Sequence, residues 1–222
     1  MTDFRLRIGF AKTGPAIWLS HLELVRAMER CVRRSGLPYD ISQGFSPHMK
    51  QSFSAALPVG TGSNCEFMDV ELLSSVEPEQ ACLNLQAVQH PYLPVLTTQY
   101  IHKDQPSLQI YFNHGIYLVE LDDRDNSIGP ELVRRLNARP VIEVRKKAKP
   151  KPYDLNDYLI DVACIQESEP AGAWLRLELL SLPTGSLRPE VILNAIAEPD
   201  IELQIRAITR IALEHQELQA FQ

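Results

Sequence analysis

The side chains best suited to chemistry crowd into residues 20–50, where two histidines, His21 and His48, stand among five basic residues. Arg26, Arg30, Arg33 and Arg34 fall at i, i+4, i+7 and i+8. On a helix that spacing makes one ridge of guanidinium forks, suited to phosphate or carboxylate. The same spacing equally describes a solvated face salted by Glu29. Downstream, Gln43-Gly44-Phe45-Ser46-Pro47-His48 and Lys50 put a flexible glycine, a rigid proline and several polar donors close together. His48 and Lys50 could hold an anion, with Gln43 and Ser46 as further polar contacts, and Phe45 could stack on a base. The plainer alternative is a structural turn with a buried Phe45. His21 and His48 could also form an acid–base pair, with Lys50 steadying charge. Taken alone, His21 reads as a residue satisfying local backbone.

These side chains need a scaffold, and the local sequence specifies one. Ser20 followed by Glu23 is a capping box, and Gly36 stands where a left-handed helix cap is required. Leu22, Val25, Ala27, Met28 and Val32 recur at helical spacing and predict the buried stripe.

At 222 residues, 45% hydrophobic and 23% charged, the chain has the size and composition of a globular protein of one large or two small domains. No apolar run approaches a membrane span and the start has no signal layout, so a cytoplasmic protein is expected. Cys31, Cys65, Cys82 and Cys164 lie far apart, which supports neither a zinc ribbon nor an iron–sulfur cluster. No cofactor is expected, and this chain should not itself be a radical SAM enzyme. The net charge of −6 argues against indiscriminate nucleic-acid binding. Residues 1–50 nevertheless hold eight Lys/Arg against four Asp/Glu.

Alternation of Phe4, Leu6, Ile8 and Phe10 predicts a strand. Strands near 52–57 and 66–73, separated by a turn-rich Pro58–Ser63 link, follow the 20–35 helix. A helix at 75–88 and a strand at 92–102 come next. That order is β-α-β-β-α-β, a ferredoxin-like unit over residues 1–103. The pattern then repeats over 107–222: strand 108–121, helix 129–138, strands 141–147 and 174–182, helix 189–197 and strand 201–213. On the last strand Leu203, Ile205, Ala207, Thr209, Ile211 and Leu213 are expected on one face. The fold class is therefore α+β, two ferredoxin-like βαββαβ halves packed together.

Outside the opening stretch, Lys146, Lys147, Lys149 and Lys151 form a run that phosphate backbones prefer and that also suits a solvated loop. Ser186 and Arg188 precede a helix and could seat an anion, though capping explains them as well. Asp122, Asp123 and Asp125 flank a turn without an EF-hand pattern. His90, His102, His114 and His215 lack ligand spacing, so no metal site is expected.

The stretch SHLELVRAMERCVRRSGLPYDISQGFSPHMKQSFSAALPVG at 20–60 resembles the signature of the radical SAM-linked (radical SAM-associated) proteins, a family of unknown function. KPYDLNDYL at 151–159 and GSLRPEVILNAI at 185–196 extend the likeness more weakly. Members occur alone or attached to a B12-binding radical SAM enzyme, so the resemblance implies such an enzyme as partner. Three readings result. One is a non-catalytic accessory module presenting RNA, or another anionic substrate, to that enzyme, helped by a ferredoxin-like sheet, a common RNA platform. A second is a metal-free RNA-processing enzyme using His21 and His48. The third is a purely structural protein–protein adaptor.

Overall fold

In the computed structural model the described residues are 4–102, 104–123, 127–146, 149–167 and 172–215. The chain divides into two compact units, Met1–Phe112 and Asn113–Gln222. Both are mixed α+β.

Unit 1 begins with β1 (Phe4–Lys12), whose Leu6, Ile8 and Phe10 are buried as their alternation requires. A 3-10 turn at Gly14–Trp18 leads to α1 (His21–Arg34). β2 (Gln51–Phe53), β3 (Thr61–Leu72), α2 (Pro78–Gln86) and β4 (Val95–Ile101) follow. The sheet order is β2-β3-β1-β4 and each of these pairings is antiparallel. Thr61–Ser63, expected in a turn, already belongs to β3. β2 is only three residues long.

α1 opens on the expected capping box. The Glu23 amide donates to Ser20 Oγ at 3.4 Å and the Ser20 amide to Glu23 Oε2 at 2.8 Å. Gly36, at φ +74°, takes the left-handed conformation that ends the helix. Leu24, Met28, Cys31 and Val32 are the buried stripe. Full burial of a Leu or Met side chain stabilises by about 1.5–3 kcal/mol. Leu22, predicted inside, is 57% exposed because it lies beside Arg26 rather than over Met28.

The other face of the unit 1 sheet is also covered. The segment before and through α3 (Leu108–Tyr111) folds over β1 and β3. Phe112 stacks on Phe67 with ring centroids 4.4 Å apart. The Arg7 guanidinium lies 5.3 Å from the Tyr111 ring centre and 5.2 Å from that of Phe112. Beneath them Arg7 makes a fork to Asp69, at 2.8 and 3.1 Å, with both residues at most 3% exposed. Residues 108–111, read from sequence as strand, are therefore a helical turn. They fold with unit 1 because their rings cover its ion pair.

Unit 2 starts with β5 (His114–Leu121) and α4 (Ile128–Asn137). Then come β6 (Val141–Lys146), β7 (Lys149–Asp154), α5 (Leu155–Tyr158) and β8 (Leu159–Glu167). β9 (Gly172–Leu182), β10 (Gly185–Ser186), α6 (Pro189–Ala197) and β11 (Ile205–Glu214) complete it. Its sheet runs β8-β9-β5-β11, with β10 folded back on the end of β9. Of the segment 141–147, expected as the second sheet strand, the described residues Val141–Lys146 instead pair with β7 as a separate two-stranded ribbon. Pro150 and Pro152 in β7 lack amide donors and suit such an edge position. The place of the second sheet strand is taken by β8, which the sequence reading passed over. On β11 the expected single face breaks down. Irregularities between Ile205 and Ala207, and between Arg210 and Ala212, shift the alternation, so Ile208, Arg210 and Leu213 are the buried residues.

Candidate nucleic-acid interface

The arginine ridge exists, and its four members are not equivalent. Among the described residues Arg26, Arg30 and Arg34 are exposed on α1 and form no ion pair, though Arg26 lies near enough to Glu23 to help lower its carboxyl. Arg33 is engaged: its NH2 lies 2.6 Å from Glu29 Oε1, NH1 donates to the Tyr39 hydroxyl at 2.9 Å, and the guanidinium sits 5.2 Å from the Tyr39 ring centre. Three guanidiniums, not four, face solvent outside an ion pair of the described residues. At the start of the helix, hydrogen bonds from the Ser20 hydroxyl and amide hold the Glu23 carboxyl below its ordinary range.

The loop after α1 stands on a rigid base. Its two arms exchange hydrogen bonds, Lys50 N–H to Asp40 O at 3.0 Å and Ser42 N–H to His48 O at 2.8 Å, and Ile41 bridges Met49. The base is tied to β3 by Asp40 N–H to Glu71 O at 2.8 Å and Glu71 N–H to Lys50 O at 3.0 Å, with Met49 buried beneath. At the tip, Gly44 has φ +141°, a conformation few other residues adopt. Gln43, Phe45, Ser46 and Pro47 project into solvent there. Phe45 is 110% exposed, so the buried-turn reading of this residue does not hold. A fully exposed aromatic on an anchored loop tip is a surface for stacking.

Lys50 does not serve as the loose cation expected of it. Its Nζ is 2.7 Å from Asp40 Oδ2 and 3.4 Å from Glu71 Oε2. The Asp40 hydrogen bond, with help from Glu71, holds its pKa above the ordinary lysine value. The lysine staples the loop base to β3.

His48 is oriented from behind. Its Nδ1 lies 3.1 Å from the Ser46 carbonyl oxygen and 3.1 Å from Ser42 Oγ. A carbonyl only accepts, so the Ser46 contact is a hydrogen bond in the tautomer protonated at Nδ1, which leaves Nε2 of the neutral ring as an acceptor. His21, in the first turn of α1, meets Phe53 edge-to-face at 5.9 Å, and its ring makes no hydrogen bond among the described residues, contrary to the backbone-satisfying role its position suggested. His21 and His48, far apart in sequence, line one open pocket of about 510 Å³. Gln51, Ser52, Ser107 and Gln109 add neutral polar groups to it, over an apolar lining that includes Val25 and Leu108. The volume falls within the roughly 300–1,000 Å³ usual for ligand pockets. None of these four polar residues was singled out from sequence. Gln51 and Ser52 adjoin the recognised loop, whereas Ser107 and Gln109 arrive from over fifty residues away with no motif to announce them.

The remaining expectations fall elsewhere. Within unit 1 the sheet face that would serve as an RNA platform is closed by Tyr111 and Phe112 over Arg7. In unit 2, Lys151 is exposed with Nζ 4.9 Å from the Tyr153 ring centre. Lys146 and Lys149 pair across the ribbon, but their side chains, and all of Lys147, lie outside the described residues. Arg188 is the residue preceding α6, makes no side-chain cap, and reaches Glu190 at 3.9 Å. Asp123 is buried and accepts the Ser127 and Gly129 amides at 3.0 and 2.8 Å, a helix-starting role, while Asp122 pairs with Arg206 at 2.7 Å. Asp125 lies outside the described residues. Among the described residues no helix is long and apolar enough to cross a membrane.

The sequence model of an uncharacterized protein family conserved in bacteria, DUF2344, matches residues 5–189. No curated protein matches. In fold the chain is similar to a chain of a crystal structure of a Cbf5-Nop10-Gar1 complex, with a TM-score of 0.51 and 10% identity over 96% of this chain and 50% of that one. It is also similar to a chain of an H/ACA RNP bound to a substrate RNA containing 2'-deoxyuridine, with a TM-score of 0.48 and 8% identity over 94% of this chain and 49% of that one. This chain thus spans about half the length of the solved chains it matches. At such identities the likeness concerns the fold alone.

Proposed function

We propose that this chain, which belongs to the DUF2344 family of uncharacterized bacterial proteins, is a non-catalytic accessory module that binds RNA for a B12-binding radical SAM enzyme. One observation carries the RNA half of this reading. Among the described residues three arginines of α1 form no ion pair, on the same unit whose anchored loop exposes Phe45. Cations that must be neutralised from outside, together with a solvent-facing ring, are the two parts of a single-strand binding surface. The partner half rests on the resemblance of residues 20–60 to radical SAM-linked proteins. The strand orders β2-β3-β1-β4 and β8-β9-β5-β11 support reading each unit as a ferredoxin-like half. The likeness to a chain of a Cbf5-Nop10-Gar1 complex is in keeping with that reading of the fold.

The test is a filter-binding titration of single-stranded RNA at rising salt, on wild type and an Arg26→Glu/Arg30→Glu variant. Affinity that falls with salt and is lost in the variant is the expected result. Binding that is absent, or indifferent to both, sinks the reading. Co-purification from the native cell should recover a radical SAM protein with both forms.

A second reading, RNA processing by His21 and His48, is favoured by one observation: the two rings line one pocket and His48 Nε2 is left as an acceptor able to take a proton. Lys50, held by Asp40, would not steady charge in it. Intact RNA after long incubation with wild type, alongside a His48→Ala control, rejects this reading.

A further inference from the structure

We infer that the pocket lined by His21 and His48 receives one unpaired nucleobase bearing an exocyclic amine, an inference that rests on the RNA-binding reading above. The division of charge argues for a base rather than a phosphate. Every lining residue is neutral or a histidine, and no Lys, Arg, Asp or Glu is among them. A phosphate inside would find no fixed cation. The exposed guanidiniums of Arg26 and Arg30 lie instead on α1, the helix whose His21 and Val25 form one wall. A neutral pocket on a cationic element matches a nucleotide, whose base is uncharged and whose backbone is not.

The chemistry of the lining narrows the ligand. Val25, Met49, Phe53 and Leu108 make up the apolar part of the lining against which a flat ring can lie. Two acceptors can take a donor here. His48 Nε2 accepts in the neutral tautomer whose Nδ1 donates to the Ser46 carbonyl. Gln51 Oε1 is buried with no hydrogen-bond partner among the described residues. A buried acceptor left unsatisfied is costly, so a ligand that supplies its donor is rewarded. Adenine, cytosine and guanine carry an exocyclic amine; uracil does not. Ser52, Ser107 and Gln109 make no side-chain hydrogen bond within the described residues, and their donors remain available for ring nitrogens or a 2′-hydroxyl. Duplex RNA buries these base edges, so an unpaired strand is required.

Fluorescence anisotropy with labelled single strands of A, C and U, and a U strand carrying a single A, tests this on the full chain at fixed salt. A and C strands should bind about tenfold tighter than U, and a single A should recover most of the difference. Ser52→Trp and Ser107→Trp each add a bulky ring at an exposed position on the rim. With an unchanged melting temperature, either should erase the preference and leave the salt slope as in wild type. Equal binding of all strands, insensitive to both blocking variants but weakened by Arg26→Glu/Arg30→Glu, overturns the base pocket and leaves the RNA reading intact. No binding of any strand overturns both.

Discussion

The first α-helix of each unit carries an arginine cluster, and the two clusters do opposite things. On α1, Arg26, Arg30 and Arg34 form no ion pair among the described residues. On α4, Arg134 lies 2.7 Å from Glu131 Oε1, and Arg135 lies 2.8 Å from Glu131 and 2.8 Å from Asp200, with a further bond to the Ile196 carbonyl at 3.0 Å. The two arginines hold the Glu131 carboxyl down to about 2. One cluster ties a helix to its neighbours; the other presents charge outward. Residue type and helical spacing alone do not separate these roles. What separates them is what the nearby carboxylates do: Glu23 and Glu29 lie three positions either side of Arg26 but are engaged by Ser20 and Arg33, whereas Glu131 and Asp200 turn onto the α4 arginines.

The comparison extends to a third arginine environment, and the largest effect is expected there. Asp69→Ala strands the Arg7 charge in a closed site, and removing one partner of a buried pair costs about 3–5 kcal/mol. Urea unfolding should register that loss, whereas Arg134→Ala, at an exposed and screened pair, should barely move the same measurement. Next, Arg26→Glu/Arg30→Glu should weaken RNA binding about a hundredfold at low salt. It should also flatten the log–log salt slope by about 1.4, at roughly 0.7 per phosphate contact on a single strand. The matching α4 variant, Arg134→Glu/Arg135→Glu, should lower the melting temperature and leave RNA affinity nearly unchanged. If both pairs of substitutions weaken binding alike, the distinction between the helices fails.

Two smaller effects refine the contrast. Ser20→Ala removes the cap that starts α1 and should cost about 1 kcal/mol in chemical denaturation. The stabilisation tied to Glu131 should depend on pH in the sense of a depressed carboxyl. It is present in full above the ordinary value of 4.5 and disappears as pH falls toward about 2. Comparing Glu131→Gln with wild type by thermal melts at pH 7 and pH 2 should show a gap that closes in acid. The gap should be small, since the group is exposed and screened.

Much of unit 1 was legible because its signals are local. The Ser20–Glu23 box, Gly36 and the alternation of β1 each act over a few residues, and the order of elements follows from them. Unit 2 was read less well. Its ribbon 141–154 carries strand-like patterning without belonging to the sheet, and β11 changes face at irregularities that no periodicity shows. For the site, the arginine ridge and the 43–48 loop were visible as residue types. Their electrostatic state was not. Lys50 is quenched by Asp40, ten positions back, and by Glu71 on a neighbouring strand, and Leu108 and Gln109 reach the pocket only because Tyr111 and Phe112 anchor that segment over Arg7.

That anchoring has a consequence for how the protein is made. Arg5 NH2 donates to the carbonyls of His102 and Gln105 at 3.1 and 2.8 Å, and Arg7 is roofed by rings more than a hundred positions later. During synthesis, β1 leaves the ribosome long before the residues that close over it. A nascent chain halted at residue 103 would hold all four strands of its first sheet and still leave the Arg7–Asp69 pair open to water on one side. Completion of unit 1 therefore waits on its own last residues, 104–112, and the pocket wall supplied by Leu108 and Gln109 is finished at that same moment.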